Sequence, residues 1–170
     1  NLAQYDEVKE TVFINTGIKL PLISQVIRNA TLIERLSYFW EDKLKVINPR
    51  LVFMVTYYGE IGMALNLACN RLSIPSVDIQ HGVQGDYHVA YGRWSKVPLT
   101  GYELLPKVFW VWSGNEHAAI EQWCQPVKEH HRPIVGGNPW LSMWKEPNYH
   151  IVIEYDKILI KLMNKQPGQF

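Results

Sequence analysis

Short apolar runs of strand length alternate with amphipathic stretches along the middle of the chain. The four runs are 51–56, 74–79, 108–112 and 132–135. Continuous apolar runs of this length are typical of parallel strands buried on both faces. Strand, helix and strand within about thirty residues make a βαβ unit, for which a right-handed crossover is expected. The pattern predicts an α/β fold: a Rossmann-like open parallel sheet with helices on both faces.

Apolar residues recur at intervals of three and four between these runs, which predicts helices. The predicted helices are 24–47, 61–72, 117–124 and a short one around 140–144. Asn48-Pro49 ends the first helix, because the residue before a proline avoids the α region. Ser113 or Asn115 is the candidate N-cap of the third.

The two ends of the chain are less regular. Residues 11–14 look like a strand, and the apolar run 157–162 is either the first strand of a second α/β unit or part of a terminal helix over 151–163. We divide the chain into a Rossmann-like domain, 1–146, and a second part, 147–170, with a linker and the start of a further domain. Because the chain does not begin with methionine, we expect it to be part of a longer protein.

Composition excludes several classes of protein. The 170 residues are 47% hydrophobic and 19% charged, which describes a globular chain. A formal net charge of +1 without a Lys/Arg stripe gives no electrostatic case for nucleic acid. No apolar run approaches the ~18 residues that span a membrane. Cys69 and Cys124 form neither a disulfide framework nor a zinc site, so we expect buried, reduced thiols in a reducing compartment.

Small or polar residues follow each of the four predicted strands. They are Tyr58 and Glu60, then Gln80, His81 and Gly82, then Ser113, Gly114 and Asn115, and last Gly136, Gly137 and Asn138. Ligands of open parallel sheets bind outside the carboxyl ends of the strands, so we predict that these residues line one rim. Each stretch alone is ordinary turn chemistry. Together they favour a binding site, where the glycines would let a substrate reach backbone N–H groups at helix starts.

His81 is the candidate for acid–base chemistry, because histidine titrates closest to neutral pH. The alternative is a core histidine that bonds a backbone carbonyl, and the residues themselves leave it open. Asp78 lies inside the same strand and either pairs locally or points toward the site. Residues 83–107 lack clear periodicity and form either a functional loop or a surface loop pinned by aromatic residues.

Other chemistries have less support. The chain contains no GxxxxGK[ST] loop and no GxSxG elbow, and Gly136-Gly137-Asn138 is not a dinucleotide fingerprint. We expect no metal, since neither HExxH nor paired cysteines accompany the histidines. His130 and His131 stand in a polar run and are interpreted as a solvated turn.

The segment 74–83, IPSVDIQHGV, followed by HVAY at 88–91, resembles the "GIP-x-V-E-L-Q-H-G-V-I … H-x-A-Y" signature of bacterial surface-polysaccharide glycosyltransferases. Further segments that fit the pattern lie at 55–58, 64–72, 110–114 and 134–139. The likeness covers roughly residues 50–140. Ser73 stands where the pattern has glycine, and Asp78 where it has glutamate.

The resemblance implies a GT-B architecture, in which two Rossmann-like domains face each other across a cleft. The chain would be the N-terminal, acceptor-side domain, and 157–162 would be the first strand of a nucleotide-binding domain that is otherwise absent from it. The implied reaction transfers a sugar from a nucleotide sugar to a hydroxyl of a polysaccharide or lipid-linked acceptor. The fragment alone is expected to be inactive and to bind no cofactor.

The resemblance also implies roles for single residues. In the related CDP-glycerol-dependent teichoic acid polymerases, a comparable strand-end histidine is thought to act as a base. His81 would accordingly be the general base, with Glu60 or Asp78 orienting its imidazole. Tyr87, His88 and Tyr91 would belong to a loop that contacts the acceptor, and the other strand-end residues would also bind substrate.

Three alternatives stay open: a nucleotide-sugar epimerase, a CDP-alcohol glycerophosphotransferase, and a non-catalytic carbohydrate-binding module. The implied partners are a carbohydrate acceptor and the C-terminal domain of the same protein, and no nucleic acid. A cytoplasmic location is implied, and peripheral association with the inner membrane is compatible with it.

Overall fold

The fold is an open, all-parallel sheet of four strands flanked by helices. The computed structural model describes residues 2–95 and 97–165. The elements are α1 Leu2–Thr16, α2 Ile23–Ile47, β1 Val52–Met54, α3 Glu60–Arg71, β2 Ser76–Ile79, β3 Val108–Val111, α4 Gly114–Cys124, β4 Arg132–Val135, α5 Pro139–Trp144 and α6 His150–Lys165. The predicted α/β class with a Rossmann-like open sheet is confirmed.

The strands lie in the order β1-β2-β3-β4, and each pairs in parallel with the next. Because this order follows the chain, the described strands contain no reversal of direction and therefore no crevice of the kind that forms where strand order switches. A site at the carboxyl edge must come from the turns after the strands and from the loop 83–107, which contains neither helix nor strand in its described residues.

The main core lies on the sheet face to which Met54 and Phe109 contribute. Ile120 and Trp123 of α4 pack there, and so does Tyr91 of the loop after β2. Each buried side chain of this size contributes roughly 1.5–3 kcal/mol to folding. The loop is thus partly a core element pinned by aromatic residues, as one of the two alternatives for this segment predicted.

Helix α2 packs on α3 and forms a second, smaller core. Leu44 of α2 is buried against Ala68 and Cys69 of α3. The helix ends as predicted at Asn48, which adopts the left-handed conformation at φ 50° and donates its N–H to the Leu44 carbonyl. Cys69 and Cys124 are both buried free thiols, and burial raises the pKa of each to about 11.

Two strand predictions at the chain ends are wrong. Residues 11–14 belong to α1, which ends where Gly17, at φ 70°, donates its N–H to the Phe13 carbonyl. Residues 157–162 lie inside α6, so the competing terminal helix is confirmed. Both runs are too short for their apolar residues to distinguish a strand from a helix segment. The boundary between domains at 146 stays a prediction.

Helix α6 packs on α5 through few residues. The Tyr155 ring meets the Trp144 ring edge-on at 5.3 Å between centroids, and Val152 is buried. Within residues 2–95 and 97–165, none of the helices combines the length and apolar character needed to cross a membrane.

Candidate active site

His81 lies at the carboxyl end of β2 with an exposed side chain. Its ring is 6.4 Å from the ring of Tyr58, which follows β1, and Tyr58 is 5.8 Å from His88 in the loop, both measured between centroids. Three predicted site residues from three segments therefore meet. Within the described part of the chain neither imidazole nitrogen of His81 forms a hydrogen bond, so both are free to meet a ligand.

Asp78 is buried in β2 and joins two other segments. Its Oδ1 accepts the backbone N–H of Tyr57 at 3.2 Å, and its Oδ2 accepts the Tyr91 hydroxyl at 2.8 Å. Burial raises the pKa of Asp78 to about 6. The two hydrogen bonds and the nearby His81 act in the opposite direction and lower the pKa, but burial has the larger effect. Asp78 does not bond the imidazole, so it influences His81 through its charge and through the turns it holds.

The raised pKa of Asp78 predicts a pH-dependent stability. Because the folded-state pKa of about 6 exceeds the ordinary 3.8, the carboxyl group favours the fold fully below about pH 4 and loses this contribution as pH rises through about 6. The asparagine side chain in Asp78→Asn does not titrate. We therefore expect the free energy of unfolding of this variant, relative to that of the wild type, to rise by up to roughly 3 kcal/mol between about pH 4 and pH 7. Urea unfolding of both proteins measures this; a constant difference would contradict it.

Glu60 is the first residue of α3, after the N-cap Gly59. Its side chain is exposed and makes no hydrogen bond or ion pair within the described residues. A carboxylate in the first turn is favourable beside the positive end of the helix dipole. The structure therefore gives Glu60 a place on the rim but no contact that would orient His81.

Gln80 holds the turn that presents His81. Its Nε2 donates to the Gly82 carbonyl at 2.9 Å, and its Oε1 accepts the backbone N–H of Trp112 at 2.7 Å. The side chain is buried, so Gln80 positions the turn instead of contacting a substrate, contrary to its predicted role. Gly82 itself has no atom within 4 Å of the place where a Cβ would stand, which leaves its backbone open to approach as predicted.

Tyr91 was predicted to contact substrate, but it lies in the core with 1% of its surface exposed. Its hydroxyl is bound to Asp78, and its carbonyl accepts the indole N–H of Trp123 at 2.7 Å. The Tyr57 hydroxyl donates to the carbonyl of Ala90 beside it. These bonds fix the segment before and after Ala90, so Tyr91 is a positioning residue.

His88 is half-buried beside Tyr91, with ring centroids 4.9 Å apart. Its Nδ1 accepts the backbone N–H of Ala90 at 3.2 Å. The neutral imidazole therefore carries its proton on Nε2, because the other nitrogen is occupied as an acceptor. His88 thus offers one hydrogen-bond donor, its Nε2–H, whereas both ring nitrogens of His81 are unpaired within the described residues.

The turn after β1 is strained, and sequence reasoning missed it. Thr56 has φ 59°, a left-handed conformation that is uncommon for a β-branched residue and costs about 1–3 kcal/mol. A Cβ at Gly62 would stand 2.7 Å from the Tyr57 carbonyl oxygen, so only glycine lets α3 approach this turn. Glycine inside a helical pattern was the available signal.

The turn after β3 leads into α4, and the candidate N-cap Ser113 is confirmed. Ser113 is the N-cap of α4: its Oγ accepts the N–H of Asn115 at 3.2 Å and its hydroxyl donates to the carboxylate of Glu116. Gly114 and Asn115 are exposed in the first turn of the helix. This turn stands next to that of His81, because β3 pairs with β2.

The end of β4 is structural, which corrects the predicted role of its glycines. A Cβ at Gly136 would lie 2.0 Å from the Trp110 indole, whose N–H donates to the Gly137 carbonyl at 2.9 Å. Both glycine N–H groups donate to the Val111 carbonyl, at 3.0 and 3.2 Å, and are not free for a substrate. Asn138 caps α5 by accepting the N–H of Leu141 at 3.1 Å.

We expect Gly136→Ala to lower the free energy of unfolding by about 1–3 kcal/mol, because the added methyl group overlaps a rigid indole. Gly114→Ala is the matched control, since open space surrounds its Cβ position, and its effect should stay within about 0.5 kcal/mol. Chemical denaturation of the three proteins compares them. Equal stability of the two variants would show that Trp110 moves away at no cost.

The sequence predicts a solvated turn at His131, but the structure shows a buried residue with 3% of its surface exposed. Its Nε2 accepts the N–H of Tyr102 at 2.9 Å, and its Nδ1 donates to the Pro106 carbonyl at 2.9 Å. Burial lowers its pKa, which keeps the ring neutral. Among the described residues no group of three or more His, Cys, Asp or Glu side chains is placed to hold a metal ion.

The structure thus brings His81, Tyr58 and His88 together above the buried pair of Asp78 and Tyr91. Comparisons of the chain with protein-family models, with curated proteins and with solved structures find no match. The geometry of these side chains therefore carries the functional argument.

Proposed function

We propose that the chain is the acceptor-side domain of a glycosyltransferase, which transfers a sugar from a nucleotide sugar to a hydroxyl of a polysaccharide or lipid-linked acceptor. The observation that carries the proposal is the exposed, unpaired imidazole of His81 at the carboxyl end of β2, beside Tyr58 and His88 and above the buried Asp78. A histidine in a core, bonded to a backbone carbonyl, would be buried instead, as His131 is.

His81 is the general base of the proposed reaction. An imidazole nitrogen takes the proton of the acceptor hydroxyl while the oxygen of that hydroxyl attacks the anomeric carbon of the donor. The bond from that carbon to the nucleotide diphosphate breaks, and the diphosphate leaves with the electron pair. A well-placed base of this kind contributes about 10²–10⁴-fold to the rate.

The surrounding residues support this step by charge and position. Above about pH 6 the carboxylate of Asp78 is ionised, so it attracts the imidazolium that forms as His81 takes the proton. The Nε2–H of His88 is a donor for an acceptor hydroxyl or a ring oxygen. The open backbone of Gly82 lets the acceptor lie close to the turn.

The proposed donor site belongs to a nucleotide-binding domain of the same protein, which would close over this rim. In this proposal the full-length protein works in the cytoplasm, at the membrane face where surface polysaccharides are assembled. In this arrangement the chain itself binds the acceptor and supplies the base, while the nucleotide sugar is held by the other domain.

The test is a donor and acceptor assay on the full-length protein. Nucleotide sugars are incubated with and without hydroxyl acceptors, and both the released nucleotide and the glycosylated product are measured. We expect product only when an acceptor is present. Epimerisation of the donor without any acceptor would contradict the proposal, and transfer of glycerophosphate from a CDP-alcohol would reassign the donor.

A further inference from the structure

A groove with a volume of about 680 Å³ lies beside the His81 turn, between the loop after β2 and the first turns of α4. Its polar lining comes from Gln84, Asp86, Tyr87, Asn115 and Gln122, and its apolar lining includes Ala118 and Ala119. Gln84 follows His81 by three residues, and Asn115 belongs to the neighbouring strand end. The groove therefore borders the candidate active site along the carboxyl edge.

Gln84 is the residue whose state points to a ligand. Its side chain is 7% exposed, and its Nε2 has no hydrogen-bond partner within the described residues. A buried donor left without a partner costs about 1–3 kcal/mol, and most such groups in folded proteins are paired. Gln84 lines the groove, so a rotation of its amide group would bring this donor to an acceptor oxygen of a bound molecule.

Tyr87 stands at the same groove with 85% of its surface exposed. The guanidinium of Arg93 lies 4.3 Å from the centre of its ring, and a nitrogen of the same guanidinium is 3.8 Å from the carboxylate of Asp86. Stacking and ion pairing hold the ring in place. The pairing also balances the acidic charge of Asp86, so the groove presents no net charge.

Apart from Asp86, which is paired with Arg93, the polar lining consists of three carboxamides and a phenol, each able to donate and accept hydrogen bonds. Such groups match hydroxyl groups, which also donate and accept. A phosphate or carboxylate ligand would instead require cationic partners, and none of the described residues that line the groove is a lysine or an arginine. The apolar faces of sugar rings suit an exposed tyrosine.

We propose that this groove binds a neutral, unphosphorylated sugar unit of the acceptor, next to the unit whose hydroxyl faces His81. The inference rests on the proposed glycosyltransferase function and adds the class of acceptor: a chain with neutral sugars at its growing end. Gln84, Tyr87 and Gln122 determine acceptor recognition, and they take no part in the transfer of the proton.

The first experiment measures equilibrium binding to the full-length protein without donor. The probes are neutral hexose oligosaccharides and a uronic acid oligosaccharide of the same length. We expect a neutral probe to bind at least about tenfold more tightly than the acidic one, and Tyr87→Ala and Gln122→Ala to weaken it by about tenfold each. Gln4→Ala, an exposed glutamine on α1, is the matched control and should bind as the wild type does.

The second experiment separates this inference from the function on which it rests. In transfer assays, Tyr87→Ala and Gln122→Ala should raise the KM for acceptor about tenfold while kcat and the donor KM stay unchanged. Transfer with an unchanged acceptor KM would overturn the groove and leave the function standing. Saccharide binding that these variants weaken, in a protein that transfers no sugar, would uphold the groove and overturn the function. Tighter binding of the acidic probe, or no binding of any neutral probe, would overturn the groove.

Discussion

Replacing His81 with alanine is expected to lower kcat of the proposed sugar transfer by the full-length protein by about 10²–10⁴-fold, because the acceptor hydroxyl then keeps its proton as it attacks. The free energy of unfolding should stay within about 0.5 kcal/mol of the wild type, since the side chain is exposed and makes no hydrogen bond within the described residues. Steady-state kinetics at saturating donor and acceptor, together with urea unfolding, measure both quantities.

His150→Ala is the matched control for this variant, because His150 is also exposed but lies on α6. It should retain full activity. An unchanged kcat in His81→Ala would remove His81 from the mechanism. Joint loss of stability and activity would instead identify His81 as a structural histidine, which its exposure argues against.

Replacing Asp78 with alanine should lower the free energy of unfolding at neutral pH by roughly 2–6 kcal/mol. The reason is that two buried donors, the Tyr57 N–H and the Tyr91 hydroxyl, lose their acceptor, and each unpaired donor costs about 1–3 kcal/mol. Chemical denaturation followed by tryptophan fluorescence measures the change, because Trp123 donates to the carbonyl of Tyr91 in the same core.

Asp78→Asn is the matched control, since it keeps the shape and one acceptor oxygen and should be far milder. Tyr91→Phe removes one of the two bonds and should fall between the wild type and Asp78→Ala. The double variant Asp78→Ala with Tyr91→Phe should cost less than the sum of the single changes, because both remove the same bond. Additive effects would show that Asp78 and Tyr91 are not coupled.

Much of the fold could be predicted because its elements have one clear period. The apolar run at 51–56 and the helical spacing of 24–47 and 61–72 all correspond to observed elements. The failures at 11–14 and 157–162 concern short apolar runs that fit either a strand or part of a helix. Only the neighbouring turns, such as the one at Gly17 after α1, decide between strand and helix, because they set where the whole element ends.

The candidate site could be predicted only in part. The meeting of His81 and Tyr58 follows from strand ends that share one edge, whereas His88 comes from the loop after β2. The sequence did not predict that Asp78 and Tyr91 are buried and bonded to each other, because hydrogen bonds between distant segments leave no local pattern. Gly136 was misjudged for the same reason, since its partner Trp110 lies on the neighbouring strand.

The left-handed Thr56 has a consequence for how the rim can respond to a bound molecule. Strain of about 1–3 kcal/mol corresponds to a factor of about 5–150 between two backbone states if a ligand were to release it. Tyr58 is two residues away, so the ring beside His81 would move with that change. The bond from the Tyr57 N–H to Asp78 holds the turn in this conformation, so the strain stays stored while that bond is intact.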